Sequence, residues 1–111
     1  MSPDLFNNNF SDFNLNQKIL KALKELNFYK PTPIQKKVIP QFKSSKQDII
    51  ASAQTGTGKT AAFGLPLIDL VSNKGGYTQA LILCPTRELC IQIANDLNKF
   101  SKYQKSINIL P

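Results

Sequence analysis

Ala51-Ser52-Ala53-Gln54-Thr55-Gly56-Thr57-Gly58-Lys59-Thr60 decides how this chain is read. Gly56 and Gly58 let the backbone take turns that a Cβ forbids, and let successive N–H groups point inward at an anion. Lys59 can set its ammonium between terminal phosphates, and the Thr60 hydroxyl has the size and hardness to ligate Mg²⁺. A helix starting here adds the positive end of its dipole. Ala53–Thr60 therefore reads as a loop that holds nucleotide phosphates. Ala53 stands where the general G-x-x-x-x-G-K-S/T pattern has its first glycine, so a strict pattern search rejects the loop. The plain alternative is a Gly-Thr turn that binds nothing.

The flanks have the order such a loop needs. Asp48-Ile49-Ile50-Ala51-Ser52 reads as a short buried strand, and residues 61–71 as an apolar helix. Further on, Ser72–Gly76 is a turn, and Ala80-Leu81-Ile82-Leu83-Cys84 is a continuous apolar run, as in a strand covered on both faces. Pro85-Thr86 opens a helix with Leu89, Ile93, Leu97 and Phe100 on one face, and Ile107-Asn108-Ile109-Leu110 begins a third strand. Upstream, Asn16 caps a helix whose inward stripe is Ile19, Leu20, Leu23 and Leu26, and Asn27 suits the left-handed position that ends it. Thr32 and Pro33 start a second helix, carrying Val38 and Ile39 and interrupted at Pro40. Residues up to about Ser11 read as a flexible lead-in. Alternating strands and helices predict an α/β fold with a parallel sheet.

At 111 residues the chain makes at most one small domain. No apolar run is long enough to cross a membrane, and the polar, Asn-rich start lacks the layout of a signal peptide, so a cytoplasmic address is expected. Cys84 and Cys90 are expected to be reduced, small and buried rather than a disulfide or a metal site. The net charge of +7, almost all from Lys, favours an anionic partner such as nucleic acid, although Lys is also a common solubilising residue.

Three separated blocks together resemble the first part of a DEAD-box ATP-dependent RNA helicase. Asn27–Gln35 looks like the family's Q motif, with Phe10 as its upstream aromatic. Ala53–Thr60 matches motif I, in which the family itself places Ala first. Pro85-Thr86-Arg87-Glu88-Leu89 matches motif Ia. Phe13 falls where Leu is usual, Asn27 where Gly is usual, and Cys90 where Ala is frequent. The resemblance implies a RecA-like sheet with flanking helices, incomplete at the C-terminus. It divides the chain into a lead-in (1–9), a Q-motif region (10–36) and the first part of the ATP-binding domain (37–111). It implies ATP and Mg²⁺ as cofactors and RNA as partner.

Residue roles follow from the same resemblance. Phe10, Lys30 and Gln35 recognise the adenine. Ala53, Gln54, Thr55, Gly56, Thr57, Gly58, Lys59 and Thr60 hold the phosphates. Lys59 stabilises charge on the transferred phosphoryl group, and Thr60 binds the Mg²⁺. Pro85, Thr86 and Arg87 contact the RNA backbone. A carboxamide offers a donor and an acceptor side by side, which suits adenine, and Arg87 can grip a phosphate with two parallel bonds. Local sequence leaves other readings open. Thr32-Pro33-Ile34-Gln35 is also a plain capping box, Phe10 a hydrophobic anchor, Thr86 an N-cap, and Arg87–Glu88 a solvated pair.

No Asp-Glu-Ala-Asp or Ser-Ala-Thr sequence occurs in the 111 residues. The start at Met1 reads as natural and the end as a cut, so an N-terminal fragment unable to turn over alone is expected, with open apolar edges that make it prone to associate. The alternatives are a non-catalytic module binding adenine nucleotide or RNA, and a phosphate-loop protein of another class, such as a small kinase. The Q-motif and PTREL blocks together speak against the last.

Overall fold

Four helices carry the architecture: α1 (Gln17–Glu25), α2 (Pro33–Ser44), α3 (Lys59–Leu70) and α4 (Arg87–Phe100), preceded by a 3₁₀ turn at Phe10–Phe13. The computed structural model describes residues 9–44, 46–54, 56, 58–71 and 76–111. The lead-in up to Asn8, Thr55, Thr57 and most of the expected turn at 72–76 lie outside the described residues.

Local chemistry explains where α1 begins and ends. The Ile19 N–H donates to Asn16 Oδ1 at 3.0 Å, which satisfies one of the helix's orphan donors. At the other end Asn27 takes φ 62°. The Phe28 N–H then donates to Leu23 O at 2.9 Å and the Asn27 N–H to Lys24 O at 3.1 Å, a Schellman closure. Ile19 and Leu23 are fully buried, and Leu20 and Leu26 pack against the same cluster.

α3 lies between α2 and α4, and α1 packs on α4. The central position of α3 explains its composition. Ala61, Ala62, Gly64, Leu65, Pro66 and Ile68 are all buried, so apolar side chains surround most of the helix instead of forming one stripe. Gly64 permits the close approach of α4: a Cβ there would stand 2.6 Å from Leu97 Cδ2. Leu65 and Ile68 join Ile19, Leu23, Ile39, Leu97 and Phe100 in one core, to which Phe10 and Phe13 also belong.

The expected break at Pro40 is corrected: α2 runs unbroken to Ser44. Proline removes one backbone donor, at a cost of about 3 kcal/mol in a helix interior. Val38 and Ile39 are buried just before it. Beyond it, Lys43 forms an ion pair with Asp69 Oδ2 at 2.7 Å and also donates to Asn14 O. Asp69 Oδ1 accepts from both the backbone N–H and the side-chain Nδ2 of Asn16, each at 3.0 Å. One carboxylate near the end of α3 thus ties the cap of α1 to the last turn of α2.

The expected parallel sheet is not seen among the described residues. Among the described residues no strand is formed, and no backbone hydrogen bond joins 48–52, 80–84 and 107–110 to one another. A strand needs a ladder partner for its N–H and C=O groups, and none of these segments supplies one to another. Their alternation survives without the ladder. Ile82, Ile107 and Ile109 pack against the core, while Leu81, Leu83 and Leu110 are 78%, 86% and 89% exposed. The run at 80–84, expected to be covered on both faces, is covered on one. It borders an open groove of about 600 Å³ with Leu67, Ile68, Tyr77 and Leu97.

Cys84 and Cys90 are free thiols, as expected, but half-buried rather than buried. Burial chiefly, with the neighbouring Cys90 thiol, pushes the Cys84 thiol up from its ordinary value.

Candidate functional site

The two glycines of the loop before α3 have the backbone that the sequence predicts. Gly56 and Gly58 take φ 83° and 84°, conformations that side chains rarely adopt. Gly58 is the N-cap of α3, and Lys59 and Thr60 are its first two residues. The first helical bond runs from the Ala62 N–H to Gly58 O at 3.1 Å. The N–H groups of Lys59, Thr60 and Ala61 therefore have no acceptor within the helix and lie at the positive end of its dipole. Lys59, Gln54 and Gly56 are exposed, while Ala53 and Thr60 are half-buried. This end of α3 has free amides, an ammonium and a hydroxyl, the donor set that suits a phosphate chain and a hard cation.

Gln35 is built into the same place. It is 2% exposed. Its Oε1 accepts from the Thr32 N–H at 2.9 Å, and its Nε2 donates to Gly58 O at 3.2 Å. Gly58 O thus takes two donors, one from α2 and one from α3. In a planar trans peptide C=O and N–H point in opposite directions. Anchoring Gly58 O on the Gln35 side turns the Lys59 N–H away from it. The capping box is half made: Gln35 returns to the Thr32 N–H, but the Thr32 hydroxyl is buried without a partner. That orphan oxygen lies beside Gly58, 3.3 Å from where a Cβ would stand. The carboxamide keeps one N–H and one lone pair beyond these two bonds. The Thr32 hydroxyl lies buried beside them.

Phe10 and Lys30 are placed differently. Phe10 is 4% exposed, stacked on Phe28 at 6.5 Å and set edge-on to Phe13 at 6.0 Å. Phe28 in turn meets Phe100 edge-on at 5.9 Å. The hydrophobic-anchor reading describes this packing, and one face of Phe10 is occupied by Phe28. Lys30 is exposed. The Phe10–Phe28–Phe100 contact went unread in the sequence because its members lie far apart in the chain and no periodicity links them.

Pro85, Thr86 and Arg87 are all exposed at the start of α4. The Leu89 N–H donates to Thr86 Oγ1 at 3.2 Å, so Thr86 is an N-cap. Arg87 and Glu88 form no ion pair, the pairs among the described residues being Lys43–Asp69 and Lys102–Glu25. Arg87 thus presents its guanidinium at a helix start whose amides also face outward.

Comparison with known proteins agrees with this geometry. A family model described as DEAD/DEAH box helicase matches residues 32–110. The chain is 50% identical over 101 residues to the ATP-dependent RNA helicase CshA of Listeria monocytogenes, covering 91% of this chain and 19% of that protein. It is 48% identical over 101 residues to a probable ATP-dependent RNA helicase of Methanocaldococcus jannaschii, covering 91% and 27%. The chain therefore spans about a quarter or less of these relatives' lengths. Among solved structures, a DEAD box protein from Methanococcus jannaschii superposes with a TM-score of 0.79 at 49% identity, over 83% of this chain and 25% of that one. Saccharomyces cerevisiae Dbp5 bound to RNA and ADP BeF3 gives 0.82 at 33% identity, over 86% and 25%. The fold around the four helices is thus that of DEAD box proteins, although the described residues form no sheet. Because the family model matches residues 32–110, well over half of the chain, the chain belongs to the DEAD/DEAH box helicase family.

Proposed function

We propose that this chain forms the first part of the ATP-binding, RecA-like domain of an ATP-dependent RNA helicase, with residues 10–36 as its adenine-reading region. Such a protein couples RNA-stimulated ATP hydrolysis to local opening of an RNA duplex, in a cytoplasmic setting. One observation carries the reading. Two left-handed glycines lead into α3, whose first residue is Lys59, and Gln35 fixes the peptide between Gly58 and Lys59.

In this reading the amides of residues 53–60 hold the phosphates, with Thr55 and Thr57 included on the motif alone. The Lys59 ammonium neutralises charge on the terminal phosphates, and the Thr60 hydroxyl is the ligand offered to Mg²⁺. ATP with its Mg²⁺ supplies the phosphoryl bond whose cleavage drives the cycle. Gln35, with the Thr32 hydroxyl beside it, reads the purine edge, and Phe10 and Lys30 frame that pocket once Phe28 gives way. Pro85, Thr86 and Arg87 follow the RNA backbone, which carries no sequence information.

The test is nucleotide binding by the intact protein. Lys59→Ala is expected to weaken ATP binding at least about tenfold, the loss of one strong charged contact. Gln35→Ala is expected to reduce the preference for ATP over GTP. If Lys59→Ala binds ATP as tightly as the unaltered protein, the phosphate reading fails.

A further inference from the structure

A second charged surface lies at the opposite end of α4 from Arg87, about 20 Å away at 1.5 Å per residue. Lys18, Lys21 and Lys24 are exposed on α1, and Lys99, Lys102 and Lys105 are exposed at and just beyond the end of α4. α1 and α4 pack together, so the two groups share one face. Tyr103 joins them. The Lys21 ammonium sits 4.4 Å from its ring centre and the Lys102 ammonium 5.4 Å from it. Glu25 is the acid in this cluster. It pairs with Lys102 at 3.0 Å and accepts the Tyr103 hydroxyl. Even with Glu25 and the half-buried Asp96 counted against them, the six lysines leave a strong positive excess.

We propose that this face is a second docking surface for the sugar–phosphate backbone of RNA, separate from residues 85–87. Lys18, Lys21 and Lys24 recur at i, i+3 and i+6, which strings cations along one side of α1 at a rise of about 4.5 Å per step. That is a linear array suited to a linear polyanion. The composition of the face favours nucleic acid over an acidic protein. Protein interfaces are anchored by large apolar and aromatic side chains at their centre. Most exposed large hydrophobics of this chain (Ile50, Leu70, Tyr77, Leu81, Leu83 and Leu110) lie on other elements, while Phe28 and Tyr29 follow α1 directly, with Phe28 against Phe100 at the rim of the face. Tyr103 is half-buried and occupied by its two ammonium neighbours. A face whose centre is lysine and whose aromatics stand at the rim binds through counterion release and reads no sequence.

The experiment is salt-dependent binding of labelled poly(U) by the intact protein and its variants. Lys18, Lys24, Lys99 and Lys105 are replaced together by Gln, leaving the Glu25–Tyr103–Lys102 contact in place. Binding at low salt is expected to weaken at least about tenfold, and the slope of log affinity on log salt to fall by about 2 to 3, at about 0.7 per lost phosphate contact. The same four changed to Arg should restore both. ATP binding should not move. An unchanged slope in a folded quadruple variant overturns the proposal. If that variant does not fold, Lys18→Gln with Lys105→Gln should give about half the slope change, and no change overturns the proposal equally. Tighter binding of polyglutamate than of poly(U) at equal charge would assign the face to an acidic protein and overturn it. Arg87→Gln separates the two RNA surfaces: a loss there with no effect of the lysines supports residues 85–87 alone.

Discussion

Gly56 and Gly58 share a left-handed backbone, yet their surroundings differ. A Cβ on Gly56 would meet nothing within 4 Å, whereas one on Gly58 would collide with the Gln35 amide and lie 3.2 Å from Gln35 Cδ. Gly56→Ala should therefore cost only the conformational penalty of an L-residue there, about 1 kcal/mol. Gly58→Ala should add displacement of Gln35 and weaken ATP binding by at least a further tenfold. Nucleotide titrations of both variants check this, and equal affinities would show that the Gln35–Gly58 bond does not shape the site. Elsewhere the shifted groups are on the surface. The Tyr103 hydroxyl bond chiefly holds the Glu25 carboxyl below its ordinary value, and the same bond holds the Tyr103 phenol above its own. A lowered acid contributes stability above its unfolded value that is lost as pH falls through the folded one. A raised phenol contributes below its unfolded value and loses that contribution as pH rises through the folded one. The contact therefore survives across the neutral range and loosens at both extremes.

Asp69 shows how a single side chain holds several helices in register. It is mostly buried and touches Lys43 on α2 and the Asn16 cap of α1. Asp69→Ala would remove the counter-charge of Lys43, which keeps its bond to Asn14 O, and would leave two amide donors of Asn16 without their acceptor. Breaking such a pair from one side costs about 3 kcal/mol. Thermal unfolding of the intact protein should show that loss, and Asp69→Asn should recover part of it through the retained Asn16 contacts. Sequence reading could not find this carboxylate, because an acid inside an apolar helix has the look of a solvated side chain and its partners are far away in the chain. What the sequence did reveal is local. The Asn16 and Thr86 caps, the Asn27 turn and the glycine conformations are written within a few residues of where they act. Strand pairing is not legible for the converse reason. The alternation of 80–84 is an intrinsic property, but pairing belongs to two segments at once, and the described residues supply no pair. Pro40 was overweighted because its cost is local, while the Lys43 contacts that offset it are not.

Taken together, the helices enclose one core and leave apolar side chains on the three extended segments facing outward. Ile50, Leu81, Leu83 and Leu110 are each more than three-quarters exposed. Exposed large apolar side chains of this kind favour association. The 111-residue chain by itself should self-associate with rising concentration, and Leu81→Lys with Leu83→Lys should reduce it. Sedimentation velocity distinguishes the outcomes, and a monomer at all concentrations would contradict the expectation. Gly64 has a different reach. Because α4 rests against the one position of α3 that lacks a side chain, the gauge between the two helices is set by a missing methyl group. α3 begins at Lys59 and α4 begins at Arg87. Any larger residue at 64 would have to displace the buried Leu97 side chain, and so would load the seam between the helices that begin at Lys59 and at Arg87 without touching either start.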